Sequence, residues 1–224
     1  MRYCKFSTIV ALLAITLLAG MQSTSHALVL GFNDFSDPIF YVADNGIGDI
    51  NPVPGVVTFS GQIGTNWLVN VTTGLSKPII GSADSPQLDL NSINVTSGSG
   101  GHLSFGVWDS DFSGSGLFTL AAGGTTTGSI SFQAFGDPTN SGQFIGTTLG
   151  SLGPFSTSAY SGIVSGSFSA NAPFGLSIIA DITHTGPGAT SFDASLSAVP
   201  EPMSLLLLGL GLTGVAGVRR KVKK

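Results

Sequence analysis

Beyond residue 27 the chain holds two histidines, His102 and His184, and no glutamate before Glu201, so groups that can move protons near neutral pH are few. No Gly-x-Ser-x-Gly elbow and no His-Glu-x-x-His helix is present. Serine, histidine and aspartate all occur, but triad members meet in space, so their presence selects no nucleophile. A glycosidase could draw on two aspartates such as Asp109 and Asp181, yet nothing in their spacing singles that pair out. The chain is therefore expected not to be an enzyme, with a secreted hydrolase the weakest of the alternatives. Carboxylates can instead hold calcium, a hard cation that takes oxygen ligands. Asp34 with Asp37, Asp44-Asn45-Gly46 to Asp49-Ile50-Asn51, and Asp109-Ser110-Asp111 are oxygen-rich, and Asp109 and Asp111 are the candidate calcium ligands. Glycines at 46 and 48 and the lack of a closing glutamate break the EF-hand pattern, so capping of turns is the preferred reading. Trp67 and Trp108 are the candidate sugar-stacking platforms, although a place in the core or at its rim is preferred for both.

The elements that must position these groups are strands. Leu103, Phe105 and Val107 alternate with His102, Ser104, Gly106 and Trp108, and Phe174, Leu176, Ile178, Ala180 and Ile182 repeat the pattern. Leu88 and Leu90 fall on one parity and Ile93 and Val95 on the other, which predicts a β-bulge near Asn91-Ser92. Further strands are predicted at 40–43, 56–60, 67–72, 129–135, 144–149 and 191–197. No segment shows a 3.6-residue apolar stripe with charged outer positions, so helix should be nearly absent. Roughly ten strands cut by Gly, Ser, Asn, Asp and Pro in about 170 residues argue for one all-β domain over 28–198, an antiparallel β-sandwich or jelly roll.

Charge narrows the function further. Residues 28–199 contain eleven aspartates, a single base, Lys77, and no arginine, a surplus of ten negative charges, so no basic groove for nucleic acid can be built. The one cysteine, Cys4, lies in a segment expected to be removed, which excludes disulfides and thiolate chemistry from the mature chain. Sparse charge with abundant Ser, Thr and Asn gives a surface able to exchange hydrogen bonds with hydrated polysaccharide or to be O-glycosylated, and composition does not separate the two.

The two ends carry addresses. Residues 1–27 read as a signal peptide for the general secretion machinery and signal peptidase: Arg2 and Lys5, then an apolar stretch over 9–20, then Ser25-His26-Ala27 as a small-x-small cleavage site. At the other end Pro200-Glu201-Pro202 precedes a Leu- and Gly-rich run over 203–218 and the basic tail Arg219, Arg220, Lys221, Lys223 and Lys224. Sixteen residues make a helix of roughly 24 Å, short of the ~30 Å hydrocarbon core, so the helix is a poor lasting anchor. The run of basic residues just past the helix places that tail in the cytoplasm, which leaves the domain on the far side. Pro200 and Pro202 hold the preceding segment extended and open to an enzyme.

This order of parts over 199–224 resembles the PEP-CTERM sorting signal of Gram-negative bacteria. The resemblance implies recognition by an exosortase, an integral-membrane cysteine transpeptidase, with Pro200, Glu201 and Pro202 as the processing motif. It further implies transient anchoring in the inner membrane and then release or transfer to the cell surface. The expected role is structural, in an extracellular matrix of exopolysaccharide, biofilm or floc, and the alternative is a carbohydrate-binding, lectin-like module.

Overall fold

Alternation of apolar and polar side chains is expressed here as strands that bury every second residue. In a computed structural model, residues 28–142, 144 and 146–199 are described, and the predicted signal peptide over 1–27 and the apolar run over 203–218 lie outside them. Twelve strands follow in order: β1 (Val29–Asn33), β2 (Phe40–Ala43), β3 (Val56–Ile63), β4 (Trp67–Leu75), β5 (Gln87–Ser97), β6 (Gly101–Phe112), β7 (Gly116–Thr126), β8 (Ser129–Asp137), β9 (Thr147–Phe155), β10 (Ala159–Phe168), β11 (Phe174–His184) and β12 (Gly188–Ala198). They form two six-stranded antiparallel sheets, β2-β1-β6-β11-β8-β9 and β10-β7-β12-β5-β4-β3. The all-β reading therefore holds for the described residues, none of which is helical.

The core lies between the two inner faces. Leu103, Phe105 and Val107 of β6 and Leu176, Ile178, Ala180 and Ile182 of β11 are buried on one side, facing Leu88, Leu90, Ile93 and Val95 of β5 and Phe192, Ala194 and Leu196 of β12. Phe105, Phe132 and Phe192 meet edge-on or tilted across this layer, an arrangement that suits the ring quadrupole. Such burial supplies the main drive for folding.

The predicted bulge is present. Ser92 takes a positive φ of 57°, and the register to β12 shifts between Phe192 and Ala194. Asn91 and Ser92 are both exposed, so the parity change brings Ile93 and Val95 back to the core, and the Asp193 carboxylate accepts the Ser92 amide at 2.7 Å. Three strands were not legible as such: β1, β7 and β10. The predicted strand over 144–149 is shifted, since β9 begins at Thr147 and Phe144 belongs to the preceding loop.

Candidate functional site

The outer face of the first sheet gathers the groups most able to meet a ligand. Register across it is fixed by pairing: Gly31 of β1 stands opposite Gly106 of β6 and Tyr41 of β2, while Val29 stands opposite Trp108 and Asn33 opposite Ser104. All of these residues share the parity that points away from the core. The two glycines leave a floor without side chains, and Phe144 lies over it, so that a Cβ at either glycine would collide with its ring. Trp108 is half-buried between Phe144, edge-on at 4.5 Å between ring centroids, and Tyr41, edge-on at 5.3 Å. Beside this cluster opens a groove of about 160 Å³ whose lining includes Asn33, Ser104, Phe144 and Ile179. Continuing along the same face, His102 Nε2 lies 3.6 Å from Asp181 Oδ1, and Phe35 stacks on the His102 ring at 4.5 Å. Aromatic surface with hydroxyl, amide and carboxylate groups at its margin is the chemistry that binds a sugar ring, apolar on its faces and polar at its edge.

Trp67, the other tryptophan proposed as a stacking platform, is not available for that role. It is 2 % exposed, and its ring packs at 5.1 Å from His184 between the sheets. Its position on β4, inward by the same alternation as Val69, is what buries it. His184 is also internal. Its Nδ1 is 2.7 Å from Ser97 Oγ and its Nε2 is 2.8 Å from Thr190 Oγ1, and burial holds its pKa below the ordinary value of 6.5. The Ser97–His184 pair thus joins β5 to β11 inside the protein.

Asp109 and Asp111 prove to have different surroundings. Asp109 has the parity of the core residues and is 3 % exposed. Its Oδ2 accepts Ser76 Oγ at 2.6 Å and Lys77 Nζ at 2.7 Å, and its Oδ1 accepts the Ser110 amide at 2.8 Å. Lys77 also donates to the Ser110 carbonyl and lies 4.0 Å above the Phe112 ring. The domain's only base therefore neutralises a buried carboxylate, an arrangement that a cation at Asp109 would have to displace. Asp111, in the left-handed region at φ 61°, exchanges two hydrogen bonds with Asn140: it accepts Asn140 Nδ2 at 2.8 Å and donates its amide to Asn140 Oδ1 at 2.9 Å. Among the described residues no group of three or more His, Cys, Asp or Glu side chains is placed to hold a metal ion. Asp109 and Asp181 face opposite sides of the first sheet, so that pair of carboxylates does not converge.

The other oxygen-rich turns use their carboxylates on backbone amides. Asp49 accepts the amides of Asn45, Asn51 and Thr58, each at 2.9 Å, Asp44 accepts that of Gly55 at 2.7 Å, and Asp34 those of Ser36 and Asp37. Tyr41 and Phe144 are the residues that sequence reasoning missed. The available signal for them was Gly106 interrupting the outer row of β6 beside Trp108, since glycine within a strand marks a place where another group approaches closely.

At the carboxyl end the described structure stops where the sorting segment starts. Ala198 donates its amide to the Pro86 carbonyl at 3.0 Å and Val199 to the Leu117 carbonyl at 2.7 Å, and Pro200 is the next residue. Pro200, Glu201, Pro202 and the basic tail from Arg219 to Lys224 lie outside the described residues. No helix of the described residues is long and apolar enough to cross a membrane. Residues 198–221 match the family model described as the PEP-CTERM protein-sorting motif. None of the curated proteins matches the chain in sequence.

Proposed function

We infer from the PEP-CTERM sorting motif that the chain is exported and sorted by an exosortase-type system by way of the membrane. We propose that the mature protein is a non-catalytic structural component of the cell surface or extracellular matrix, held among exopolysaccharide in biofilm or floc. The observation that carries this reading is the motif at 198–221, set directly after the last strand of a β-sandwich. The composition supports it: a surplus of negative charge on a surface otherwise rich in Ser, Thr and Asn stays hydrated and exchanges hydrogen bonds with polysaccharide. The partners are the general secretion machinery and signal peptidase at the amino end, an exosortase-type transpeptidase at the carboxyl end, and exopolysaccharide outside. The test is fractionation of the native culture. The processed protein should stay with washed matrix and be released when the polysaccharide is digested, whereas recovery as free protein in the medium would refute the role.

A carbohydrate-binding, lectin-like function is the second reading, and the aromatic face formed by Trp108, Tyr41 and Phe144 favours it. Binding on a glycan array that disappears in Trp108→Ala would support the lectin. Absence of binding in a protein retained by the matrix would support the structural role.

A further inference from the structure

The two sheets leave four edge strands, β2 and β9 in the first and β10 and β3 in the second. An edge presents unpaired amides and carbonyls, and proteins usually blunt it with short length, bulges, proline or charge. Three of the four are blunted. β2 has four residues, β3 shifts register between Phe59 and Gly61, and β9 carries Pro154 and two shifts against β8. β10 has none of these devices: β9 packs along its inner face at Gly162, Val164 and Gly166 but is not hydrogen-bonded to it as a sheet neighbour. All ten of its residues, Ala159 to Phe168, pair with β7 from Thr125 to Gly116 without a shift. It contains no proline, and no charged residue occurs between Asp137 and Asp181.

The outer row of β10 is Ala159, Ser161, Ile163, Ser165 and Ser167, all exposed, and Ile163 is 71 % exposed. Its neighbour across the pair with β7 is Ala121, too small to cover it. This row is close to a palindrome about Ile163. If a second β10 ran antiparallel with the two Ile163 side chains opposed, Ser161 would face Ser165 of the other copy and Ala159 would face Ser167, with no like charges opposed and no large side chain obstructing. Directly opposed residues on one face of an antiparallel pair have Cβ atoms about 4.5–5.5 Å apart, close enough for the two isoleucines to cover each other. A strand related to itself by a two-fold axis makes an isologous, self-closing contact.

We propose that β10 is a homotypic interface, through which two copies of this chain pair edge to edge about Ile163 and join their second sheets into one continuous sheet of twelve strands. The occupant is a second copy because the side-chain row is complementary to itself and the edge is uniformly neutral. The pairing does not depend on the matrix role proposed above.

The test is sedimentation of the processed protein recovered from its host. The wild type should sediment as a dimer, and Ile163→Lys, which sets two ammonium groups face to face at an exposed position, should sediment as a monomer with an unchanged β-type circular dichroism spectrum. A monomeric wild type, a folded Ile163→Lys that remains dimeric, or a complex with a different protein in place of the dimer would overturn the proposal. Should Ile163→Lys fail to fold, thiol crosslinking decides. Ile163→Cys should be joined to its own kind by a short thiol-specific crosslinker, and Gln133→Cys, exposed on the outer face of the other sheet, should not. Equal crosslinking at both positions, or none at position 163, would overturn it.

Discussion

Replacing Lys77 by Met removes the only positive charge of the folded domain while keeping an apolar stem of similar length over Phe112. Asp109 would then be left 3 % exposed with its charge opposed only by the Ser76 hydroxyl at 2.6 Å and the Ser110 amide at 2.8 Å. Removing one partner of a buried ion pair costs about 3–5 kcal/mol, because the remaining charge is desolvated without compensation. Two features set the lower end of that range here. The Lys77 side chain is 19 % exposed, so water already screens part of the pair, and Asp109 retains two donors. The expected loss is about 3 kcal/mol, or roughly 6–12 °C in Tm for a domain of this size. Urea unfolding followed by circular dichroism, with tryptophan fluorescence from Trp67 and Trp108 as a second probe, measures it. The double variant Lys77→Met with Asp109→Asn should recover about half of the loss, since a neutral amide still accepts the Ser110 amide at Oδ1 while its Nδ2 donates to the Ser76 hydroxyl oxygen. A Lys77→Met protein within about 0.5 kcal/mol of wild type, the margin of an ordinary surface change, would refute the reasoning. A double variant no more stable than the single one would refute it equally.

Calcium removal should leave the melting temperature unchanged, since a ligand stabilises only by binding the native state and protein donors already engage Asp109 and Asp111. A fall on chelation that calcium restores, and that Asp109→Asn with Asp111→Asn abolishes, would reverse this. His184 is held neutral by burial with its pKa lowered, so its contribution to stability is fully present above 6.5 and is lost as the pH falls toward its folded value. Stability measured from pH 7 to 5 should therefore decline more steeply in the wild type than in His184→Gln, and parallel curves would contradict the assignment. In the native host Glu201→Ala should leave full-length protein in the inner membrane while the wild type appears outside without the apolar run; identical mass and location for the two proteins would contradict a processing role for Pro200-Glu201-Pro202.

Period-two alternation made β6 and β11 legible because their inner positions are large and their outer ones polar. The parity break at Asn91-Ser92 was legible for the same reason: a buried face fixes register strongly enough that a change of parity requires an extra residue. β7 and β10 hid because Gly, Ala, Ser and Thr occupy both of their faces, so that hydrophobic contrast disappears while the backbone pairing persists. In the candidate site the tryptophans were separable only by their neighbours. Trp67 shares parity with Val69 and goes inward, whereas Trp108 shares parity with His102, Ser104 and Gly106 and goes outward. Tyr41 and Phe144 reach Trp108 from a distant strand and a loop, and such convergence is tertiary. Asp109 stood among the calcium candidates because Asp-Ser-Asp reads as a turn in sequence. In the structure it is the carboxyl-terminal end of β6, where alternation carries the first aspartate inward to Lys77.

The sorting segment departs from a place in the fold that constrains how it can be processed. β12 is an interior strand of its sheet, paired with β7 along one side and β5 along the other. Interior strands carry two ladders of backbone hydrogen bonds, so withdrawing β12 would cost a large part of the stability of the domain. The ladder is extended by the Ala198 and Val199 amides, which leaves no free residue between the folded domain and Pro200. An enzyme acting at Pro200-Glu201-Pro202 would therefore have to do so beside the folded sandwich, because the chain cannot supply slack by unfolding β12 locally. Proline suits this junction. Pro200 has no backbone amide with which to continue the β12 ladder beyond Val199. Cleavage anywhere beyond Val199 would remove no residue of the core and would leave all twelve described strands in place.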